Sequence, residues 1–324
     1  MSVAWPIKLV LLFPVELLQH MTTRVAQLGS PTFSWNLVAD WQDIFQYDFM
    51  RHAFLAGTII AVMAGAVGYF VVLRGLAFAS HTLANIGFAG AAGAVLVGLA
   101  PVYGLLAFTL VGGLGMGAYG KRLSQRDIAV GIILSLALGL GYLFIFLYQG
   151  YSTDAYAVLF GEVLGISQQD VVIALAVGAL TLLALGAMYR PLLFASLDEE
   201  GAEAKGVPVR FISVAFLLVL ALAVAEAVQI VGVLLVFALL VTPAAIAERL
   251  ATRPSLSLLL SVILALFFTW GGLVIAYYLP YRLGFFITTL AFGTYLVVRL
   301  VKDGPWRAKR GLLTVRNISK GGAL

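Results

Sequence analysis

The sequence predicts an all-α protein, a polytopic transmembrane bundle of about eight or nine spans with interfacial helices at its N-terminus. Hydrophobic residues make up 62% of the 324 residues and charged residues only 11%, against roughly 25% charged residues in a soluble domain. So few charges cannot cover the surface of a water-soluble protein of this length. The composition therefore excludes an ordinary soluble enzyme, and we read the net charge of +5 as a result of membrane topology rather than nucleic-acid binding.

Residues 1–50 are predicted to form an N-terminal segment that lies on the membrane. The apolar stretch 3–20 is interrupted by Lys8 and Glu16, which favours an interfacial helix and leaves one extra span as the alternative. The stretch 31–50 combines aromatic residues with three aspartates. Aromatic rings beside charges are typical of a helix in the headgroup region.

A transmembrane domain is predicted at 51–303, because its segments are long and apolar enough to cross a bilayer. A helix rises about 1.5 Å per residue and must cross about 30 Å of hydrocarbon. Many glycines lie within these segments, and small residues allow helices to pack closely in lipid. The predicted spans are 54–73, 82–99, 102–119, 128–148, 170–189, 211–229, 230–247, 256–279 and 284–301.

Basic residues are concentrated on one side of this predicted topology. Sixteen of the 20 Lys and Arg residues fall in four connections (74–81, 120–127, 190–210 and 248–255) or from residue 299 onward. Cytoplasmic loops of membrane proteins carry an excess of Lys and Arg. We therefore expect these connections, and the basic tail 304–324, to be cytoplasmic.

The segment GMGAYGKR at 115–122 nearly matches two nucleotide-binding signatures. Both signatures need a strand before them and the N-terminus of a helix after them. Here the glycines lie at the C-terminal end of a predicted span, where the helix dipole repels phosphate. We expect no nucleotide site in this chain.

Six sequence segments occur in the order found in one known family, and the chain resembles the permease subunit of metal-type ABC importers from about residue 44 to 301. Such importers carry zinc, manganese or iron. The six segments are DFMRHAFLAG, FVVLRGLAFASHTLANIGFAGAAGA, RDIAVGIILSLALGLGYL, VLFGEVLGISQQD, FASLDEEGAEAKGVPV and VQIVGVLLVFALLVTPAAIAERLA.

The resemblance implies a homodimer in the cytoplasmic membrane of a prokaryote, with the pathway between the two copies. It further implies two copies of a separate ATP-binding subunit and an extracytoplasmic solute-binding protein. The chain would not be an enzyme and would hold no permanent cofactor, although a divalent cation would pass through it.

A short helix is predicted at 196–208, between two span ends. Its first turn carries acidic residues, which the helix dipole favours, and a glycine followed by a proline ends it. The resemblance implies that this coupling segment seats on the ATP-binding subunit, and we expect Ala202 and Ala204 to be exposed for that contact. The residues assigned to coupling are Asp198, Glu199, Glu200, Ala202, Lys205 and Gly206.

One part of the family pattern is altered. In the resembling family the second helix usually carries an Asp and, four residues later, a His that faces the pathway. Here these positions are His81 and Asn85, so the carboxylate is missing. A neutral pair binds a divalent cation weakly, and its members could instead bond to neighbouring helices.

Four acidic residues complete the candidate pathway. Glu226 lies within a predicted span, where a carboxylate costs roughly 3 kcal/mol on insertion scales. It could replace the charge missing at position 81, attract cations near the outer end of its helix, or be a buried hydrogen-bonded acid. Asp154, Glu162 and Asp170 are predicted at the outer mouth, either to receive cargo or as a solvated rim.

Two alternative functions remain open from the sequence. An importer of the same architecture could carry a non-metal or chelated cargo, because the His81 and Asn85 pair departs from the family pattern. A stand-alone proton-coupled carrier or channel could use His81 and Glu226 as a relay, although the coupling segment argues against it.

Overall fold

The computed structural model describes residues 37–118, 123–148, 161, 165–279 and 281–303. The described part of the chain is built of helices joined by short turns, which confirms the all-α fold class. The helices are α1 Leu37–Phe45, α2 Asp48–Leu73, α3 Ala77–Leu96, α4 Pro101–Ala118, α5 Leu123–Leu147, α6 Gln168–Leu197, α7 Glu199–Ala204, α8 Val209–Val231, α9 Val233–Leu250, α10 Pro254–Tyr278 and α11 Leu283–Asp303.

The predicted count of eight to nine spans is slightly higher than the number of helices that meet the length and composition of a membrane span. Seven helices among the described residues are long and apolar enough to cross a membrane: α2, α5, α6, α8, α9, α10 and α11. Helix α4 is apolar but shorter. Helix α3 has 20 residues, yet Ser80, His81, Thr82 and Asn85 lower its hydropathy.

Helix α3 tolerates these polar residues because it is packed inside the bundle. It contacts α4, α5, α8 and α9, and 14 of its 20 residues are buried. A helix that faces other helices rather than lipid tails needs less hydropathy. The sequence predicted a span at 82–99, which overlaps α3, but did not indicate that this helix lies at the centre of the bundle.

The long helix α6 extends past its predicted end. The prediction ended this span at residue 189, two residues before a proline, which usually ends or kinks a helix. The structure continues α6 to Leu197 with Pro191 inside it. The end of α6 therefore reaches the coupling segment directly.

Apolar side chains divide into an internal core and a lipid-exposed surface. Helices α2 and α8 are largely buried, with Phe70 and Phe216 among the largest enclosed side chains. Helices α5 and α11 instead expose large apolar residues, including Phe146 (76%) and Val301 (77%). Apolar exposure on this scale suits a lipid-facing surface rather than water.

Helices α3 and α4 pack with their backbones in close contact. A Cβ atom at Gly90 would lie 2.2 Å from the carbonyl oxygen of Gly104, and one at Gly104 would lie 2.0 Å from that of Gly90. Neither position can hold a larger residue while the helices stay this close. The expected role of glycine in tight helix packing holds at this contact.

Helix α1 packs its aromatic face against α2 and α10. The rings of Trp41, Phe45, Phe54 and Trp270 form one group, with centroid separations of 5.0 to 6.4 Å. This placement suits the predicted interfacial helix within 31–50. The predicted helix at 3–20 and the tail 304–324 lie outside the described residues.

Candidate transport pathway and coupling segment

His81 and Asn85 lie one turn apart on α3. The Asn85 Nδ2 is 3.4 Å from His81 Nε2 and donates to the His81 carbonyl oxygen at 2.8 Å. The spacing of four residues places both side chains on one helical face. The sequence-predicted pair is therefore a real side-chain contact.

The surroundings of this pair are mixed. Asn85 is buried, whereas His81 is partly exposed. The His81 ring meets the ring of Phe237 edge-on, with centroids 5.5 Å apart, and Phe237 is itself 38% exposed. His81 Nδ1 is buried and has no hydrogen-bond partner among the described residues. The imidazole thus keeps one nitrogen that its described neighbours do not use.

The pair supplies two neutral ligands in one chain. With the proton on Nδ1, the His81 Nε2 lone pair faces the Asn85 amide, and rotation of that amide would present its oxygen instead. Across the described ranges there is no group of three or more His, Asp or Glu residues that could hold a metal ion.

Glu226 lies on α8 and is enclosed by its own chain. Its side chain is 2% exposed, and its Oε1 finds no hydrogen-bond partner within the described residues. Asp170 of α6 is close enough to interact with it electrostatically. Gln229, one turn along α8, donates to Asp170 Oδ1 at 3.5 Å. Glu226 and Asp170 therefore occupy the same end of the bundle.

The structure does not bring Glu226 and His81 together. The adjacent glycines 112–113 of α4 lie beside 83–86 of α3 and 217–221 of α8, so these stretches of α3 and α8 lie at the same height along the bundle axis. From that level His81 lies toward one end of the bundle and Glu226 toward the other. The separation along the helix axes is about 16 Å at 1.5 Å per residue, or three turns. Glu226 cannot replace the charge missing at position 81.

Asp170 has a structural partner at the start of α6. Ser167 accepts the Asp170 backbone N–H, and Asp170 Oδ2 accepts both the backbone N–H and the hydroxyl of Ser167. This is a capping box, which satisfies two backbone donors at a helix start. Asp154 and Glu162, the other predicted outer-mouth residues, lie outside the described residues.

The coupling segment contains the short helix α7. Asp198 is its N-cap and accepts the Gly201 N–H at 2.9 Å. Glu199 and Glu200 lie in the first turn, and Gly206, at φ 79°, follows the C-cap Lys205. The terminating glycine was predicted correctly, but the predicted helix began at 196, whereas α7 begins at Glu199, residues 196–197 belong to α6, and Asp198 precedes the first turn.

The expected exposure of Ala202 is wrong. Ala202 is 0% exposed and packs with Ala195 of α6 and Val209 of α8, whereas Ala204 is exposed as predicted. On a helix of six residues the face that meets the stems must be apolar, and alanine at position 202 fills that space. Lys205 extends over the Phe194 ring, 5.2 Å from its centroid, so it also attaches α7 to α6.

Arg74 is a residue whose position sequence reasoning missed. It was counted as a marker of topology, yet its guanidinium donates to Ser196 at 3.2 Å and to Ser213 at 2.6 Å. It also lies 5.8 Å from the centroid of the Phe216 ring. The sequence did contain a sign of this role, because a single arginine followed at once by Gly75 stands at the end of an apolar span.

Within the described part of the chain, seven helices long and apolar enough to cross a bilayer define a multi-pass membrane protein. The model of the ABC 3 transport family matches residues 46–302. The chain belongs to this family. The resemblance to the permease subunit of metal-type ABC importers is thus confirmed, and in this class ATP hydrolysis belongs to a separate subunit.

Two relatives and one solved structure illustrate the similarity. The manganese transport system membrane protein MntC of Halalkalibacterium halodurans is 30% identical over 239 residues, covering 74% of this chain and 82% of that protein. The manganese import system permease protein ScaB of Streptococcus parasanguinis is 34% identical over 246 residues, covering 74% and 85%. The structure of PsaBC from Streptococcus pneumoniae in complex with Fab matches with a TM-score of 0.75 at 29% identity, over 85% of this chain and 99% of that chain.

Proposed function

We propose that this permease forms the membrane pathway of an importer for a divalent metal cation, driven by a separate ATPase subunit. Manganese is the first cargo to test, ahead of zinc and iron. The observation that carries this proposal is the family match over 46–302, since relatives covering about three quarters of the chain are named for manganese transport. The protein would lie in the cytoplasmic membrane with its C-terminus inside.

His81 and Asn85 are the proposed contacts for the cation. His81 is partly exposed at the surface of its own chain, as a pathway between two copies of the permease requires. A homodimer would present two imidazoles and two amide oxygens around its axis. Imidazole nitrogen and carbonyl oxygen both bind first-row dications, and the absence of a carboxylate keeps that binding weak enough for release.

Glu226 and Asp170 are proposed to act separately from His81, as a pair of acidic residues at the other end of the bundle. Two carboxylates beside each other attract a dication before it reaches His81. Asp154 and Glu162 extend this outer region in our proposal. An extracytoplasmic solute-binding protein would deliver the cargo there.

The coupling segment is proposed to dock on the ATP-binding subunit. Asp198, Glu199, Glu200, Lys205 and Gly206 form the solvent side of the α7 region, and Ala204 lies exposed among them. Ala202 contributes from beneath, by holding α7 to its stems. Two ATPase copies would engage the two α7 helices of a homodimer, and their closure would drive alternating access.

The test is metal accumulation in cells that lack their own manganese uptake and express this permease with its ATPase and binding protein. We expect ATP-dependent manganese uptake, lowered roughly tenfold or more by His81→Ala or Asn85→Ala, and reduced to a smaller extent by Glu226→Ala. His20→Ala and Glu16→Ala are matched controls, because both residues lie outside the matched region 46–302. They should leave uptake unchanged.

The same assay separates the alternatives. Uptake that needs a chelated metal, with none of the free cation, would favour a chelate importer, for which the neutral pair at 81 and 85 is the specific reason. Uptake in proteoliposomes without ATPase or ATP would favour a stand-alone carrier. Absence of uptake for manganese, zinc and iron alike would overturn the metal proposal.

A further inference from the structure

We propose that Arg74 is a positioning residue that fastens the coupling segment to the start of α3, so that a displacement of α7 moves the helix carrying His81. This inference rests on the proposed function, in which α7 receives motion from the ATPase. It assigns the path inside this chain by which that motion reaches the candidate cation contact.

Arg74 joins the two stems of the coupling segment. Ser196 is in the last turn of α6, immediately before α7, and Ser213 is near the start of α8, immediately after it. One guanidinium donates to both hydroxyls, through Nη1 to Ser196 and Nη2 to Ser213. The planar fork of arginine reaches two acceptors with one rigid group, which a lysine ammonium does not.

The coupling segment and its stems form one packed unit. Ala195, Ala202 and Val209 make a buried cluster that includes α6, α7 and α8. The end of α7 is closed by two backbone hydrogen bonds, from Gly206 to Glu203 and from Val207 to Ala202. This pattern is a Schellman motif, which fixes the chain direction after a helix. A force on α7 therefore moves both stems together.

The other side of Arg74 is an equally fixed turn. Arg74 caps α2, Gly75 has a φ of 65°, and backbone bonds run from Gly75 to Val72 and from Leu76 to Val71. This too is a Schellman motif. Helix α3 begins at Ala77, and His81 follows about 6 Å along its axis. The Arg74 backbone and the base of α3 thus form one short, ordered connection.

A purely structural role for Arg74 predicts loss of assembly and nothing more. A positioning role predicts that an assembled transporter hydrolyses ATP with less metal moved. The experiment uses the permease reconstituted in proteoliposomes with its ATPase and binding protein, and measures manganese transported per ATP hydrolysed. We expect Arg74→Gln to lower that ratio about fivefold or more, the smallest factor typical of coupling between sites.

Two further variants keep the test decisive if Arg74→Gln fails to assemble. Arg74→Lys keeps the charge and loses the fork, and the double variant Ser196→Ala with Ser213→Ala keeps the arginine and removes both acceptors. Each should lower the ratio in the same direction. Arg51→Gln is the matched control, because Arg51 lies near the start of α2 and pairs with Asp48, and it should leave the ratio unchanged. An assembled double serine variant with the wild-type ratio would overturn the proposal.

A spin-label measurement tests the same connection without transport. The chain has no cysteine, so single cysteines at the exposed positions Glu203 on α7 and Phe78 on α3 can be labelled cleanly. Labelled chains diluted with unlabelled ones report the distance within one chain. We expect one narrow distance with and without nucleotide in the wild type, and a broadened or nucleotide-dependent distance in Arg74→Gln. Identical distance distributions in the wild type and in Arg74→Gln would refute the proposed link between α7 and α3 through Arg74. A wild-type protein that transports no metal would refute the proposed function alone.

Discussion

The two alanines of α7 should respond in opposite ways to the same enlargement. Ala202 is fully buried against Ala195 and Val209, so Ala202→Leu adds three carbons where no space exists. Overpacking of this kind costs about 1–3 kcal/mol. In a chain of this size that corresponds to a fall in Tm of about 2–6 °C, taking roughly 2 °C per kcal/mol. Ala204 is exposed, so Ala204→Leu should change stability by under about 0.5 kcal/mol.

The affinity for the ATPase subunit should instead fall more in Ala204→Leu than in Ala202→Leu. If α7 docks in a closely packed groove, the added leucine at position 204 meets the partner and weakens binding by about 1–3 kcal/mol, or roughly 5- to 150-fold. The assay pairs thermal unfolding of the purified permease with titration of the immobilised permease by the ATPase subunit. The reasoning fails if Ala204→Leu lowers the Tm as much as Ala202→Leu while ATPase affinity stays at the wild-type value.

Two contacts between helices give further predictions. The buried Ser261 donates to the Gly65 carbonyl oxygen at 2.8 Å, so Ser261→Ala should lower the free energy of unfolding by about 0.6 kcal/mol and at most about 1.7 kcal/mol. The control Ser135→Ala removes only an exposed hydrogen bond within its own helix and should have no measurable effect. Equal losses of stability in the two variants would contradict this prediction. A Cβ atom at Gly68 would lie 1.9 Å from the Leu240 carbonyl oxygen, so Gly68→Ala should separate α2 from α9 and lower stability by about 1–3 kcal/mol or more, seen as a lower Tm in detergent. An unchanged Tm for Gly68→Ala would show that the helices do not approach this closely.

The helical class and most helix positions could be predicted because they depend on local composition. Apolar segments near 20 residues must form helices in lipid, where every backbone group needs an internal partner. The same reasoning placed Gly206 at the end of the coupling helix, since a left-handed residue after a helix is usually glycine. These are properties of a few neighbouring residues, and a single sequence contains them.

The arrangement of the helices depends on contacts between distant segments, which local patterns do not encode. Ala202 was predicted to be exposed as part of a docking surface, and a helix of six residues has no hydrophobic periodicity long enough to identify its buried face. The distance between His81 and Glu226 depends on how α3 and α8 pack against α4. The contacts of Arg74 are with two serines that lie 122 and 139 residues away in the sequence. Position along the chain could not reveal either relation.

The low hydropathy of α3 has a consequence for how the protein enters the membrane. Side chains such as His81 and Asn85 oppose the partitioning of an isolated helix from the translocon into lipid. The glycine contact at 90 and 104 gives α3 an immediate partner, because α4 follows after four residues and is apolar. The two helices would therefore insert as a hairpin, with α4 carrying α3 into the bilayer. The polar helix that carries His81 and Asn85 then depends, during biosynthesis, on the helix made directly after it.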